Sequence, residues 1–273
     1  MKKLLTVISI LFLVGACTQS SEQMDAAMEQ PDIVGEEISY STDETTMNGY
    51  IAHDANQMGQ RPGVLVVHEW WGHDEHARNS ADMLAELGYV ALAVDMYGGG
   101  QQASHPEDAM RFSNNVMSNF DTAKARFNAA IETLKANENV DTSRIGAVGY
   151  CFGGSVILAM AHSGMDLDGI AAFHAGLQLP VMPQEGLTSR VLIMNGADDP
   201  FVTQEQVENL TGAYESINAD YQYINYEGAM HAYTNPAADS LGQTFDLPLA
   251  YDAETDSLSW SEMTSFFSET FKD

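Results

Sequence analysis

Residues 144–161 read Arg144-Ile145-Gly146-Ala147-Val148-Gly149-Tyr150-Cys151-Phe152-Gly153-Gly154-Ser155-Val156-Ile157-Leu158-Ala159-Met160-Ala161. Arg144 to Gly149 is a short apolar run of the kind a buried strand requires, and Gly153 to Ala161 reads as a helix. Between them, Gly149-Tyr150-Cys151-Phe152-Gly153 fits the G-x-S-x-G turn with cysteine in the serine position. The turn is tight and crowded by neighbouring strands, so a side chain at either glycine would clash. The residue between them is forced into a strained, exposed pose. The helix N-terminus behind it favours a thiolate, and the backbone N–H of Phe152 is placed to donate to an oxyanion. The competing reading is a buried, inert cysteine; the strand-turn-helix context favours the reactive one.

The pattern continues in both directions. Ile33 to Tyr40 and Thr45 to Ala52 read as a strand pair around Ser41-Thr42-Asp43. Gly63 to His68 and Tyr89 to Val94 are further buried strands, separated by a helix from Ala77 to Leu87 with Gly88 as its stop. Helical stretches follow near Glu107 to Met117 and Thr122 to Ala136. Beyond the central turn, Ile170 to His174, Val191 to Asn195 and Tyr221 to Tyr226 read as strands, and Thr203 to Ile217 and Leu258 to Phe271 as helices. This alternation predicts an α/β fold: one mostly parallel central sheet with helices on both faces. Ligands in such sheets bind beyond the carboxyl ends of the strands.

A nucleophile of this kind is followed in the chain by an acid and then a histidine. After Cys151 the candidates are His162, His174 and His231. His162 falls in or at the end of a helix. His174 ends a strand, where packing or a supporting role suffices. His231 alone follows the last strand, in the loop Gly228-Ala229-Met230-His231, and is the expected base. Gly196-Ala197-Asp198-Asp199-Pro200-Phe201-Val202 follows the strand at 191–195 and offers two acids. Asp199 has the preferred spacing; Asp198 also qualifies by position, and one of the two can serve as a turn or helix cap. In this reading Asp199 orients His231, His231 accepts the thiol proton and later activates water, and Cys151 attacks a carbonyl to form a thioester.

Composition narrows the partners. The 273 residues carry 11 basic and 39 acidic side chains, a formal charge of -28. Phosphate-mediated binding of nucleic acid is excluded on that balance. Two cysteines do not make a disulfide scaffold. At the N-terminus, Lys2 and Lys3 precede an apolar run from Leu4 to Val14, too short to span a bilayer, then Gly15, Ala16 and Cys17. This order resembles a bacterial lipobox. The expectation is a signal peptide at 1–16, a lipidated Cys17 followed by a flexible acidic tether to residue 32, and a catalytic domain over 33–273. Export, with a lipid anchor in the outer membrane facing the periplasm, follows from that reading. The anchor would be the only membrane contact.

The motifs together resemble the dienelactone hydrolase family of α/β-hydrolases. The resemblance rests on His68-Glu69-Trp70-Trp71-Gly72, on Gly88-Tyr89-Val90-Ala91-Leu92-Ala93 with Asp95-Met96-Tyr97-Gly98, on Gly149 to Gly154, on Gly228 to Tyr233 and on Trp260 to Phe267. It implies an α/β-hydrolase fold without a cofactor, acting on a small ester or lactone, or on a thioester. It further implies that Glu69 contacts the Cys151 thiol and helps to deprotonate it, and that the backbone N–H of Trp70 is the second oxyanion donor beside that of Phe152. Members that cleave dienelactone hold its carboxylate with two arginines; the matching positions here are Gly98-Gly99-Gly100-Gln101 and Asn235. A neutral substrate in a pocket walled by Trp70, Trp71, Tyr97 and Phe152 is therefore expected. No metal site is expected, because the His68-Glu69 segment lacks the second histidine of a zincin motif. The alternative is a lipoprotein that kept the fold for a binding or thiol-redox role.

Overall fold

The computed structural model describes residues 30–272, so the expected signal peptide, Cys17 and the tether up to residue 29 lie outside the described residues. Eight strands form one sheet in the order β1-β2-β4-β3-β5-β6-β7-β8. The strands are β1 (Ile33–Ser41), β2 (Thr46–Asp54), β3 (Arg61–Val67), β4 (Val90–Val94), β5 (Val140–Tyr150), β6 (Gly169–Phe173), β7 (Arg190–Gly196) and β8 (Tyr221–Tyr226). β1 pairs antiparallel with β2, in register from Ile33 opposite Asp54 to Ser41 opposite Thr46. β2 pairs antiparallel with β4, and every pairing from β4 to β8 is parallel. The order turns back on itself at β3, which is flanked by β4 on one side and β5 on the other. A switch of this kind opens a crevice at the strand carboxyl ends.

Strand side chains alternate between two cores. Leu65, Val67, Leu92 and Val94 join Phe127, Ile131 and Leu134 of α3 (Phe120–Lys135), Val156 and Leu158 of α4 (Phe152–His162), and Leu210 and Tyr214 of α5 (Gln204–Ser216). Val64, Val66, Ala91 and Ala93 join Ala77, Ala81 and Leu84 of α1 (Glu75–Glu86) and Met263 and Phe267 of α7 (Ala253–Thr270) on the other face. Each fully buried Leu or Phe stabilises by about 1.5–3 kcal/mol. The fold is the expected α/β-hydrolase architecture.

Three differences from the expected elements have local causes. β5 begins at Val140 rather than Arg144, because Arg61 and Pro62 pair with Val140 and Asp141 before a register shift at Pro62/Gly63. α7 begins at Ala253 rather than Leu258, where the Asp252 side chain caps it by accepting from the Thr255 N–H at 2.8 Å. A short helix, α6 (Ala238–Phe245), was not expected; it carries no side-chain cap and contains Gly242. The remaining helix, α2 (Pro106–Ser118), starts at a proline.

Candidate active site

Cys151 stands between β5 and α4 with φ 52 and ψ -114, a strained conformation for a side-chain-bearing residue. The strain is over-determined by packing. A Cβ on Gly149 would lie 2.3 Å from the Gly153 carbonyl oxygen, and one on Gly153 would lie 2.2 Å from the Val67 carbonyl oxygen. The Cys151 N–H donates to the Phe173 carbonyl at 3.0 Å, tying the turn to the end of β6. The sulfur is thereby fixed at the crevice beside β3.

The loop after β8 brings His231 to it. His231 Nε2 lies 3.1 Å from Cys151 Sγ, and its Nδ1 lies 2.7 Å from Asp199 Oδ2. Asp199, which meets His231, is buried in the loop after β7, whereas Asp198 is exposed. The second Asp199 oxygen, Oδ1, accepts from the Phe201 N–H at 2.8 Å. Gly196 allows the two loops to meet, since a Cβ there would lie 2.2 Å from the Ala229 carbonyl oxygen. Burial works to lower the pKa of His231, but the facing Cys151 sulfur and the Asp199 carboxylate outweigh it and raise the value to about 10. An imidazolium is thus favoured beside the sulfur.

The turn after β3 is built by its own residues. His68, fully buried, lies with Nδ1 against the Glu69 carbonyl, and its Nε2 accepts from the Met96 N–H at 3.3 Å. Burial holds its pKa below the usual histidine value, so it sits neutral in this pair of bonds. The Tyr97 hydroxyl donates to the Trp70 carbonyl at 2.8 Å. The first contact holds the peptide that carries the Trp70 N–H, and the second holds the peptide after it. Among the described residues, no acceptor takes the backbone N–H of Trp70 or of Phe152. Both residues line the same cavity as the Cys151 sulfur.

Glu69 is 2 % exposed, and its Oε2 accepts from Asn235 Nδ2. No described hydrogen bond joins it to Cys151, so the expected thiol contact is not made in this structure. Burial above all pushes the Glu69 carboxyl upward in pKa, with Asp74 adding to the shift and His76, Asn235 and His231 opposing it.

The cavity over Cys151 measures about 320 Å³. Trp70, Met117, Phe152, Leu177, Phe201, Leu247 and Leu249 give it apolar walls, with Ser113, Asn114, Gln178 and Gln206 as neutral polar points. No Lys, Arg, Asp or Glu lines it. Two expected pocket residues do not. Trp71 lines a separate cavity of about 510 Å³ and stacks on Phe245. Tyr97, 4 % exposed, packs behind Phe152 and against His68, because its hydroxyl is committed to the Trp70 carbonyl. The sequence reading missed Phe201, Leu247, Leu249 and the α2 residues. Phe201 lies two residues after Asp199; the others sit on a helix and a loop far in sequence from the catalytic motifs, and nothing local marks them as lining the site.

His162, His174 and His76 have structural partners. His162 bonds Val181 and Tyr214. His174 packs against the His231 ring at 5.3 Å and bonds the Thr234 hydroxyl at 2.8 Å, which makes it a support for the base. His73 is buried, and His76 faces the Thr234 carbonyl at 3.3 Å.

With this geometry established, the comparisons define the class. The chain belongs to the dienelactone hydrolase family, whose model matches residues 47–271. A dienelactone hydrolase-like promiscuous phosphotriesterase from metagenomic libraries is 33% identical, covering 88% of this chain and 99% of that one, with a TM-score of 0.81. A solved structure designated m3DLH is 37% identical over 88% of this chain and 99% of its own, with a TM-score of 0.83. The protein called Protein usf of Aquifex pyrophilus is 27% identical over 86% of this chain and 99% of its own.

Proposed function

We propose that this hydrolase cleaves uncharged esters and lactones through Cys151, His231 and Asp199. The observation that carries the reading is the hydrogen-bonded file from sulfur through imidazole to carboxylate at the floor of a cavity lined by no Lys, Arg, Asp or Glu. His231 takes the thiol proton, and Cys151 Sγ attacks the carbonyl carbon. The developing oxyanion is held by the Trp70 and Phe152 N–H groups. His231 then returns the proton to the leaving alkoxide, giving a thioester acyl-enzyme. Water, deprotonated by His231, attacks the thioester and frees the acid and the thiol. Asp199 keeps Nε2 turned to the sulfur and stabilises the imidazolium.

A carboxylated substrate would find no Lys or Arg in this lining to hold its charge. The chain is therefore a neutral-ester hydrolase rather than one selective for dienelactone. A neutral phosphotriester meets the same requirement, and the similarity to a promiscuous phosphotriesterase supports a side activity of that kind. We also propose export and attachment through a lipid on Cys17, on the strength of the Val14-Gly15-Ala16-Cys17 order.

The test is turnover of matched p-nitrophenyl esters and lactones with and without a carboxylate, with intact-mass detection of an acyl group on Cys151. Preference for the neutral member and loss of turnover in Cys151→Ala are expected. Undiminished turnover in Cys151→Ala would overturn the mechanism.

A further inference from the structure

The cavity over Cys151 has two unlike walls. One is joined to the base. Leu249 forms a parallel bridge with His231, and the Ala250 N–H donates to the His231 carbonyl at 3.2 Å. Leu247-Pro248-Leu249 is a three-residue turn, closed by the Leu249 N–H donating to the Leu247 carbonyl at 2.8 Å, with a proline at its centre, where a fixed φ suits it. Gly242 of α6 is packed against the turn: a Cβ there would stand 2.9 Å from the Leu249 carbonyl oxygen and 3.0 Å from that of Leu247. The turn is thereby fixed beside the base, and both leucines, half-buried, line the cavity. Phe201 extends this wall, with its ring 5.0 Å from that of His231. The other wall belongs to α2. Phe112 packs on Tyr97 at 5.4 Å, and Tyr97 on Phe152 at 5.4 Å, so α2 is anchored on the side of the oxyanion donors. It offers the cavity Ser113, Asn114 and Met117.

We propose that Leu247 and Leu249 are specificity-determining residues that select an apolar alcohol half of the ester, while α2 faces the acyl half; this rests on the hydrolytic reading above. The reaction itself orients the substrate. The carbonyl oxygen points to the Trp70 and Phe152 N–H groups. As the carbon–oxygen bond breaks, the imidazolium Nε2–H passes its proton to the departing alkoxide oxygen, so that oxygen lies within about 3 Å of Nε2. The alkyl group on that oxygen then extends along what adjoins the base, which is Phe201 and the two leucines. The acyl chain leaves the same carbon on the other side and meets α2. The walls differ in chemistry. Phe201, Leu247 and Leu249 present no polar side-chain atom, whereas α2 supplies a hydroxyl and an amide. Each methylene of the alcohol buried against the leucines therefore raises kcat/KM about three- to fourfold, and each methylene of the acyl chain raises it less.

The experiment follows two ester series with the full-length chain in a pH-stat. Acetates of methanol to pentanol lengthen only the alcohol; methyl esters of acetic to hexanoic acid lengthen only the acyl chain. The parent is expected to show the larger gain in kcat/KM per methylene along the alcohol series. Leu249→Asn, polar and of similar size, is expected to cut the alcohol gain to under about 1.5-fold per methylene and to leave the acyl gain at the parent value. Damage to the fold or to the base would lower every ester in proportion and change neither gain, so unchanged gains overturn the proposal. A parent that gains as much or more along the acyl series overturns it, and so does a variant whose acyl gain falls. Should Leu249→Asn fail to fold by circular dichroism, Leu247→Asn is read by the same gains. A parent that cleaves no ester of either series overturns the hydrolytic reading and this one with it. A parent that cleaves both series, with gains that the variant leaves unchanged, overturns this one alone.

Discussion

Asp199 divides its carboxylate between two tasks: Oδ2 meets His231 Nδ1 at 2.7 Å, and Oδ1 accepts the Phe201 N–H at 2.8 Å. The backbone bond holds the carboxylate plane, so the imidazole is presented to the sulfur in one orientation. Asp199→Asn turns one of these acceptors into a donor and favours the wrong imidazole tautomer. We expect kcat on a neutral ester to fall by about 10³–10⁴-fold. Asp198→Asn, on an exposed side chain, should stay within about twofold of the parent under the same assay.

The raised pKa of His231 also makes a statement about stability. A folded value of about 10 against an ordinary 6.5 means that the folded protein binds this proton more tightly than the unfolded chain. The contribution is fully present below about pH 6.5 and is lost as pH rises towards 10. Urea denaturation of the parent and of His231→Gln should therefore show a stability gap at pH 6 that narrows steadily by pH 10. A gap that widens over this range would contradict the assignment.

Gly153→Ala tests how firmly the nucleophile is seated. The new methyl would stand 2.2 Å from the Val67 carbonyl oxygen, which is backbone and has nowhere to go. We expect a destabilisation of about 3 kcal/mol, measured as a shift in urea midpoint at constant slope. Gly164→Ala meets no atom within 4 Å, but its φ of +83 makes it a control for backbone strain without crowding, and it should lose only about 1 kcal/mol.

Asp95 supports the site from beneath. It is fully buried and accepts from the N–H groups of Asn48, Tyr97, Gly98 and Gly100 at 2.7–3.1 Å. This bundle fixes Tyr97, whose hydroxyl holds the Trp70 carbonyl. Asp95→Ala would leave four amides without their acceptor, so we expect a loss of about 3 kcal/mol or more. Tyr97→Phe should instead spare stability largely and lower kcat, since it frees only the Trp70 peptide. Thermal melts and steady-state kinetics on the same preparations separate the two.

The strands and the chemistry were legible in the sequence for different reasons. Runs such as 63–68 and 89–94 are apolar on both faces, which only a sheet covered on both sides tolerates. Cys151 and His231 each sit directly after or beyond such a run, in loops marked by glycine. Spacing favours Asp199 over Asp198, but both qualify by position, because which of two adjacent side chains the loop buries is decided by tertiary packing. Trp71 and Tyr97 were assigned to the pocket on aromatic character alone. Aromaticity does not report direction, and both point away from the cavity. The walls at Met117, Leu247 and Leu249 come from segments whose place over Cys151 is set by tertiary packing, not by local pattern. Glu69 was marked as close to the thiol, but its partner Asn235 lies 166 residues away in sequence, and nothing in either segment alone announces the bond.

The direction of β1 has a consequence for how substrate approaches. β1 runs antiparallel to β2, and β2 antiparallel to β4, so β1 runs the same way as the six parallel strands. Ile33 is paired with Asp54, at the end of the sheet remote from the loops bearing Cys151, Asp199 and His231. The polypeptide thus enters the fold at one pole and performs its chemistry at the other. Substrate therefore reaches Cys151 at the carboxyl ends of the strands, the pole opposite to the start of β1.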